Sequence, residues 1–292
     1  MASTKEIIFQ NSFSDDAHQL LQGVKLPPQP KVILELSKEL QRPDTSFSKI
    51  QDLLSKDAAL SAKVLKLVNS PLFRNEKKVE SLERALTRLG LLSFYTLVLS
   101  TCLKEIFDNS ENKNHTLWEH TQIVAGLAKY IAELTNLVSS EHAYMAGLFH
   151  DSAFPILMAK DDHFEKVMKV DIEQGGDIEK LELESCSCQT SHTVIGHILA
   201  KSWGLPNDVC EAILLHHTPD LTLFSNTNSR ILGMIIMLSD HLARQHKQKN
   251  ILEQDTEEPA VITTIRQTLN LQDHQIDELL NHIDELIQTS LL

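Results

Sequence analysis

The stretch Gly147-Leu148-Phe149-His150-Asp151 closes an apolar run that starts near Ser140, and it narrows what this chain can fold into. An apolar helix ending in His-Asp carries a carboxylate toward the interior, where an unpaired charge costs roughly several kcal/mol. Other segments must bring imidazoles, cations or a metal ion to the same place. The material is there: 11 of the 14 histidines fall between His115 and His246. Residues adjacent on a helix lie about 100° apart, so His150 and Asp151 can meet one centre only at its edge. The remaining partners have to come from other helices. His120, His192, the pair His216-His217 and Asp240 all stand in or beside runs of helical period.

That period dominates the chain and predicts an all-α fold, a multi-helix bundle, because nothing alternates with period two for long. Leu26-Pro27-Pro28-Gln29-Pro30 makes a stiff entry, followed by a helix on Ile33, Leu36 and Leu40 that ends at Arg42-Pro43-Asp44. Thr45 or Ser46 caps a helix with Phe47, Ile50, Leu53 and Leu54, and Asp57 caps one with Leu60, Val64 and Leu67 in a stripe that Asn69-Ser70-Pro71 stops. Ser81 caps a helix on Leu82, Ala85 and Leu89, with Gly90 as a left-handed stop before an apolar helix from Leu91 to about Phe107.

Residues 108–116 are polar throughout and serve as the expected linker. Beyond them His120, Val124, Leu127, Ile131 and Leu134 share one face. Residues 161–190 read as a long loop with one short helix. Ser191 caps a helix carrying His192, Ile195 and Leu199, Trp203-Gly204-Leu205-Pro206 breaks it, and Val209, Ile213 and His216 align on the next. Ile231 to Leu238 is apolar on every side, the mark of a buried helix, and Asp240 follows Ile236 and Met237 by one turn. A last amphipathic helix uses Ile276, Leu279, Leu280, Ile283 and Leu286, and packing on its own bundle is expected for it. The division that follows is a lead-in over 1–20, an N-terminal helical part over 21–107, the linker, a second helical part over 117–250 and C-terminal helices over 251–292.

Composition excludes several classes. A formal net charge of -13 argues against nucleic acid as a partner, since phosphate neutralisation needs a basic face. Lys63, Lys66, Arg74, Lys77 and Lys78 come nearest to a patch and read as a solvated helix face and loop. Four cysteines make no disulfide framework at this length, and Cys186-Ser187-Cys188 reads as a loop with incidental thiols. No apolar run approaches the roughly 20 residues that cross a bilayer, and Met1-Ala2-Ser3-Thr4-Lys5 lacks the apolar core of a secretory signal. A cytoplasmic protein with no membrane partner is expected.

Imidazole nitrogen with carboxylate oxygen suits zinc, manganese, iron or nickel, and the lack of thiolates in the set disfavours a purely structural zinc. His120, His150, Asp151 and Asp240 form the candidate metal set. His192 and His216 are candidates for a second ion or a ligand contact; His217 is a further candidate, with packing or capping its favoured reading. Each histidine taken alone is more often a hydrogen-bonded core residue than a ligand. His142 and His197 read as surface.

The spaced motifs resemble a known family. Leu26-Pro27-Pro28-Gln29-Pro30, Asp57-Ala58-Ala59-Leu60 through Asn69-Ser70-Pro71-Leu72-Phe73, Ala85 to Gly90, Trp118-Glu119-His120, Ala146 to Asp151, His192 to Gly196, Trp203 to Pro206 and His216-His217 follow the order of the HDOD domain. The resemblance covers roughly residues 20 to 245. It implies a regulatory module of bacterial signalling, related in its second half to the HD superfamily of metal-dependent phosphohydrolases. In the enzymatic relatives a water activated on a metal ion attacks phosphorus. Their ordered His, His-Asp, Asp ligands fall on His120, His150, Asp151 and Asp240, so His150 and Asp151 would hold that water. Further histidines of two-metal relatives fall on His192, His216 and His217. Two departures disfavour turnover: Ser152-Ala153-Phe154 puts an apolar ring where a phosphate-binding cation is expected, and no Gly-Tyr-Pro follows His216-His217. The resulting expectation is a non-catalytic module acting through a signalling protein partner or a small ligand, with a divalent metal site. The alternatives are a metal-dependent phosphohydrolase on a nucleotide-like phosphoester, and a domain that senses such a ligand without cutting it.

Overall fold

The computed structural model describes residues 24–42, 44, 47–73, 78–108, 115–159, 191–252 and 258–290. Among them every regular element is helical. The first group is α1 (Lys31–Leu40), α2 (Phe47–Ser55), α3 (Ala58–Val68) and α4 (Leu82–Asp108), with a 3-10 turn at Pro71–Phe73. Ile33, Leu36, Ile50, Leu54, Leu60, Val64 and Val68 are buried, so Val68 rather than Leu67 completes the stripe of α3. Asp57 caps α3, its Oδ1 accepting from Leu60 N at 2.9 Å. Asn69 ends it and brackets the backbone of Val79: Oδ1 accepts from Val79 N at 2.8 Å, and Nδ2 donates to Val79 O at 2.9 Å.

Gly90 divides α4. Its φ of 77° and ψ of 170° lie in a region essentially closed to residues with a Cβ, so two helices meet at a kink within one continuous element. The 27 residues of α4 are long and apolar enough to cross a membrane by length and composition, contrary to the reading that no run comes close, but 61% of the apolar window is buried inside the protein. Phe94, Leu97, Val98, Leu99 and Leu103 supply core packing.

The second group is α5 (His115–Thr135), α6 (Ser140–Phe149), α7 (Phe154–Met158), α8 (His192–Ser202), α9 (Asn207–Leu215) and α10 (Thr227–Leu252), followed by α11 (Ala260–Thr268) and α12 (Asp273–Ser290). Helix α5 is the axis, packing against α6, α10 and α12. Val124, Leu127 and Ile131 are fully buried, whereas Leu134, expected on the same face, is 41% exposed because it lies in the last turn beyond the bundle. Helix α12 also covers the Pro71–Phe73 turn, so the last helix packs on its own bundle and touches both groups. The proline-rich entry is tied across the molecule: Trp203 Nε1 donates to Pro27 O at 3.3 Å, and Gln29 Nε2 donates to Trp203 O at 2.6 Å.

The lead-in over 1–20, the capping of α2 by Thr45 or Ser46, most of the linker, the loop over 161–190, Cys186, Cys188, Arg74 and Lys77 lie outside the described residues. Of the basic patch, Lys63 pairs with Glu105 at 2.8 Å. Cys102 and Cys210 are buried free thiols, and burial pushes each up to about 12.

Candidate metal centre

Helix α6 starts at Ser139, whose Oγ accepts from His142 N, and stops at Phe149. His150 keeps helical backbone angles, and a turn through Asp151 follows, closed by Phe154 N donating to Asp151 O at 3.1 Å. The two side chains therefore leave the backbone where the helix gives way to a turn. His120 comes from α5, His192 from the first turn of α8, His216-His217 from the end of α9 and Asp240 from the middle of α10. Helices α5 and α9 each pack on α6 and α10, and α8 packs on α9, which brings these residues together.

The carboxylate of Asp151 stands between two sets of imidazoles. Its Oδ2 is 3.1 Å from His150 Nε2 and 3.8 Å from His120 Nε2, and its Oδ1 is 3.5 Å from His192 Nε2 and 4.0 Å from His216 Nε2. On one side His120 Nε2 is also 2.9 Å from Asp240 Oδ1. On the other, His192 Nε2 is 3.4 Å from His216 Nε2 and 3.1 Å from His217 Nε2. The result is two groups with ligand geometry: His120, His150 and Asp240, and Asp151, His192, His216 and His217. His217 points into the cluster rather than packing elsewhere.

The donor atoms suit a cation. His150 Nδ1 donates to Gly147 O and His216 Nδ1 to Ile213 O, each at 2.7 Å, which leaves Nε2 of both rings as a lone-pair donor. Nε2 of His120 and of His150 are buried without an aligned hydrogen bond, although carboxylate oxygens are close by. Buried polar atoms are almost always satisfied, so these are the atoms that an ion would complete. Side chains of His150, His192, His216 and Asp151 are 0–3% exposed, that of His120 is 22% exposed and His217 is half-buried, so each group has one member toward solvent.

Protonation follows the same geometry. Burial, reinforced by His192 and His150, lowers His216 to about 3. Burial also lowers His120 against the pull of Asp240. Burial opposes charge on His150 too, but Asp151 outweighs it and raises that group. Asp240 is held well below the carboxylate range despite its burial, by Arg244 and then His120.

Arg244 corrects an expectation. A cation was sought after His150-Asp151, where Phe154 stands, yet Phe154 is buried and stacked on His192 at 4.5 Å. A cation does stand beside the cluster on α10, where Arg244 Nε donates to Asp240 Oδ1 and Oδ2 at 2.9 and 3.0 Å. Its position four residues beyond Asp240 was the available signal, since such pairs share a helix face. His197 and His142 also differ from their surface reading. His197 is buried with Nδ1 donating to Cys210 O at 2.8 Å, and His142 is half-buried, its Nδ1 3.1 Å from Asp208 Oδ2.

Among the described residues, fold and site together define an all-helical protein with a buried cluster of histidines and aspartates. The chain belongs to the HDOD domain family, which it matches over residues 26–219. It is 28% identical over 203 residues to an uncharacterized protein of Treponema pallidum (strain Nichols), covering 66% of this chain and 37% of that protein, so it spans little more than a third of the relative. Among solved structures it is similar to an HDOD domain protein of unknown function from Geobacter sulfurreducens, at 25% identity and a TM-score of 0.68, with 92% of this chain and 96% of that chain covered. A candidate phosphohydrolase from Shewanella amazonensis SB2B shares the fold at 22% identity and a TM-score of 0.71, covering 93% and 97%. Asp240 and Arg244 lie beyond the residues that the family match covers.

Proposed function

We propose that this chain is a metal-binding HDOD signalling module of the cytoplasm, whose site takes a nucleotide-like phosphate ligand and reports on it to a signalling protein partner. The observation that carries this reading is Asp151 standing between two imidazole groups, each of which presents ligand atoms within 4.8 Å of one another. In that role His120, His150, Asp151 and Asp240 would hold one divalent ion, and His192, His216 and His217, with the second oxygen of Asp151, another. Zinc, manganese, iron and nickel suit the donors. A bound ion would supply Lewis acidity toward a phosphoryl oxygen. Around it the chain's own residues orient the imidazoles through Gly147 O and Ile213 O, and bury the site against water.

Metal-dependent hydrolysis of the phosphoester is the second reading. Arg244 favours it, because phosphoryl transfer needs positive charge on the non-bridging oxygens as well as a metal. The Shewanella protein that shares this fold is described as a candidate phosphohydrolase, which is in keeping with this reading. Elemental mass spectrometry of the purified protein, compared with an Asp151→Ala, His150→Ala double variant, tests the common ground. Stoichiometric metal lost in the variant is expected, and no metal in either would sink both readings. Loaded protein is then incubated with cyclic dinucleotides and simple phosphoesters: binding without turnover supports the module, and turnover that the double variant lacks establishes the hydrolase.

A further inference from the structure

The two groups around Asp151 are not equivalent. The group of His192, His216 and His217 shares the Asp151 carboxylate with the other half and combines three imidazole nitrogens with one of its oxygens, His217 being its half-buried member. The other group has its own carboxylate, Asp240, and Arg244 is held against it. The Asp240 oxygen that stands 2.9 Å from His120 Nε2 also accepts from Arg244 Nε at 2.9 Å. A guanidinium is charged at every accessible pH. It therefore offsets the one unit of negative charge that Asp240 would offer a cation, whether it stays in place or has to be displaced. Arg244 and His120 are partly exposed, at 16% and 22%, so an anion arriving from solvent can reach the guanidinium.

We propose that Arg244 makes the two halves fill in order. The half built on Asp151, His192, His216 and His217 is the resident cation site. The half built on His120, His150 and Asp240 is gated by Arg244 and takes a second cation tightly only together with an anionic ligand, a phosphate group, that balances the guanidinium. This rests on the metal-binding reading above and adds to it a device in which ligand and second ion are linked. Linkage of this kind is reciprocal, so the second ion raises affinity for the phosphate by the same factor. Arg244 acts here through Asp240 and is a positioning residue.

The test is a titration with Mn2+ of full-length protein stripped of metal, read as free Mn2+ by electron paramagnetic resonance, with and without inorganic phosphate. Wild type is expected to bind one ion tightly and a second at least ~10-fold more weakly, the scale set by one nearby unit charge in a partly screened site. Inorganic phosphate should bring the second affinity up, and Arg244→Gln should do so without phosphate. Arg244→Lys, which keeps the charge, should keep the weak second site, and His217→Ala should weaken the first. Two equal ions in wild type, or a second site unmoved by both phosphate and Arg244→Gln, overturns the proposal while leaving the metal-binding reading standing. No bound ion in any form overturns both. The phosphate arm on wild type decides the matter even if Arg244→Gln does not fold.

Discussion

Gly147→Ala is a one-atom perturbation that should reach the site through packing alone. A Cβ built on Gly147 would lie 2.8 Å from Ala125 Cα, 3.0 Å from Ala125 N and 3.1 Å from Val124 O, all backbone atoms of α5. Ordinary carbon contacts need roughly 3.5–4.0 Å, so α6 and α5 must part by about half an ångström or more, and no side chain can turn away to absorb it. Overpacking of this kind costs about 1–3 kcal/mol, against a helix-propensity gain of about 1 kcal/mol for Ala over Gly. A net loss of up to about 2 kcal/mol is expected, toward the upper end because backbone cannot turn away, or a fall in Tm of up to about 8 °C in a chain of this size. The carbonyl of Gly147 fixes the His150 ring, and α5 carries His120, so metal uptake should weaken too. Gly126→Ala is the control. Its Cβ would run into the side-chain methyl groups of Leu286, so the strain falls on α12 and spares the α5–α6 contact. The assays are urea denaturation of the metal-free forms and the Mn2+ titration. Wild-type stability and wild-type metal affinity in Gly147→Ala would refute the reasoning.

Two further outcomes follow from single features. Gly90→Ala meets nothing within 4 Å, so its cost is backbone strain alone, about 1–3 kcal/mol; an unchanged urea midpoint would show that the kink accommodates a side chain. Burial lowers the folded-state pKa of His197 below its ordinary value. As pH falls through about 6.5 the unfolded chain takes up the proton first. The stability contribution is therefore present above about pH 6.5 and shrinks as pH drops toward the lowered folded value. His197→Gln should narrow the difference in unfolding free energy between about pH 7 and pH 5.5, and a difference equal to that of wild type would contradict the assignment.

Much of the helical framework was legible because its signals are local. Asp57, Ser81 and Ser191 cap where short-range rules place them, since a side-chain oxygen and an amide a few residues on meet whatever the rest of the chain does. Gly90 and Gly204 adopt positive φ for the same local reason. Burial was less secure. Leu134 follows the apolar period of α5 and is exposed, while His197 breaks no rule for a surface residue and is buried, because each outcome depends on which helix passes over it.

The sequence by itself determined that this chain is a bundle of helices and that His120, His150, Asp151, His192, His216 and Asp240 stand on or beside them, because period and capping are properties of neighbouring residues. Only the tertiary structure decided the rest. It set Asp151 between two imidazole groups, turned His217 inward and put Phe154 on His192. It also tied Pro27 and Gln29 to Trp203 across the whole chain. These are relations in distance and direction between atoms on different helices, set by how α5, α6, α8, α9 and α10 cross, and a one-dimensional pattern contains no crossing angles.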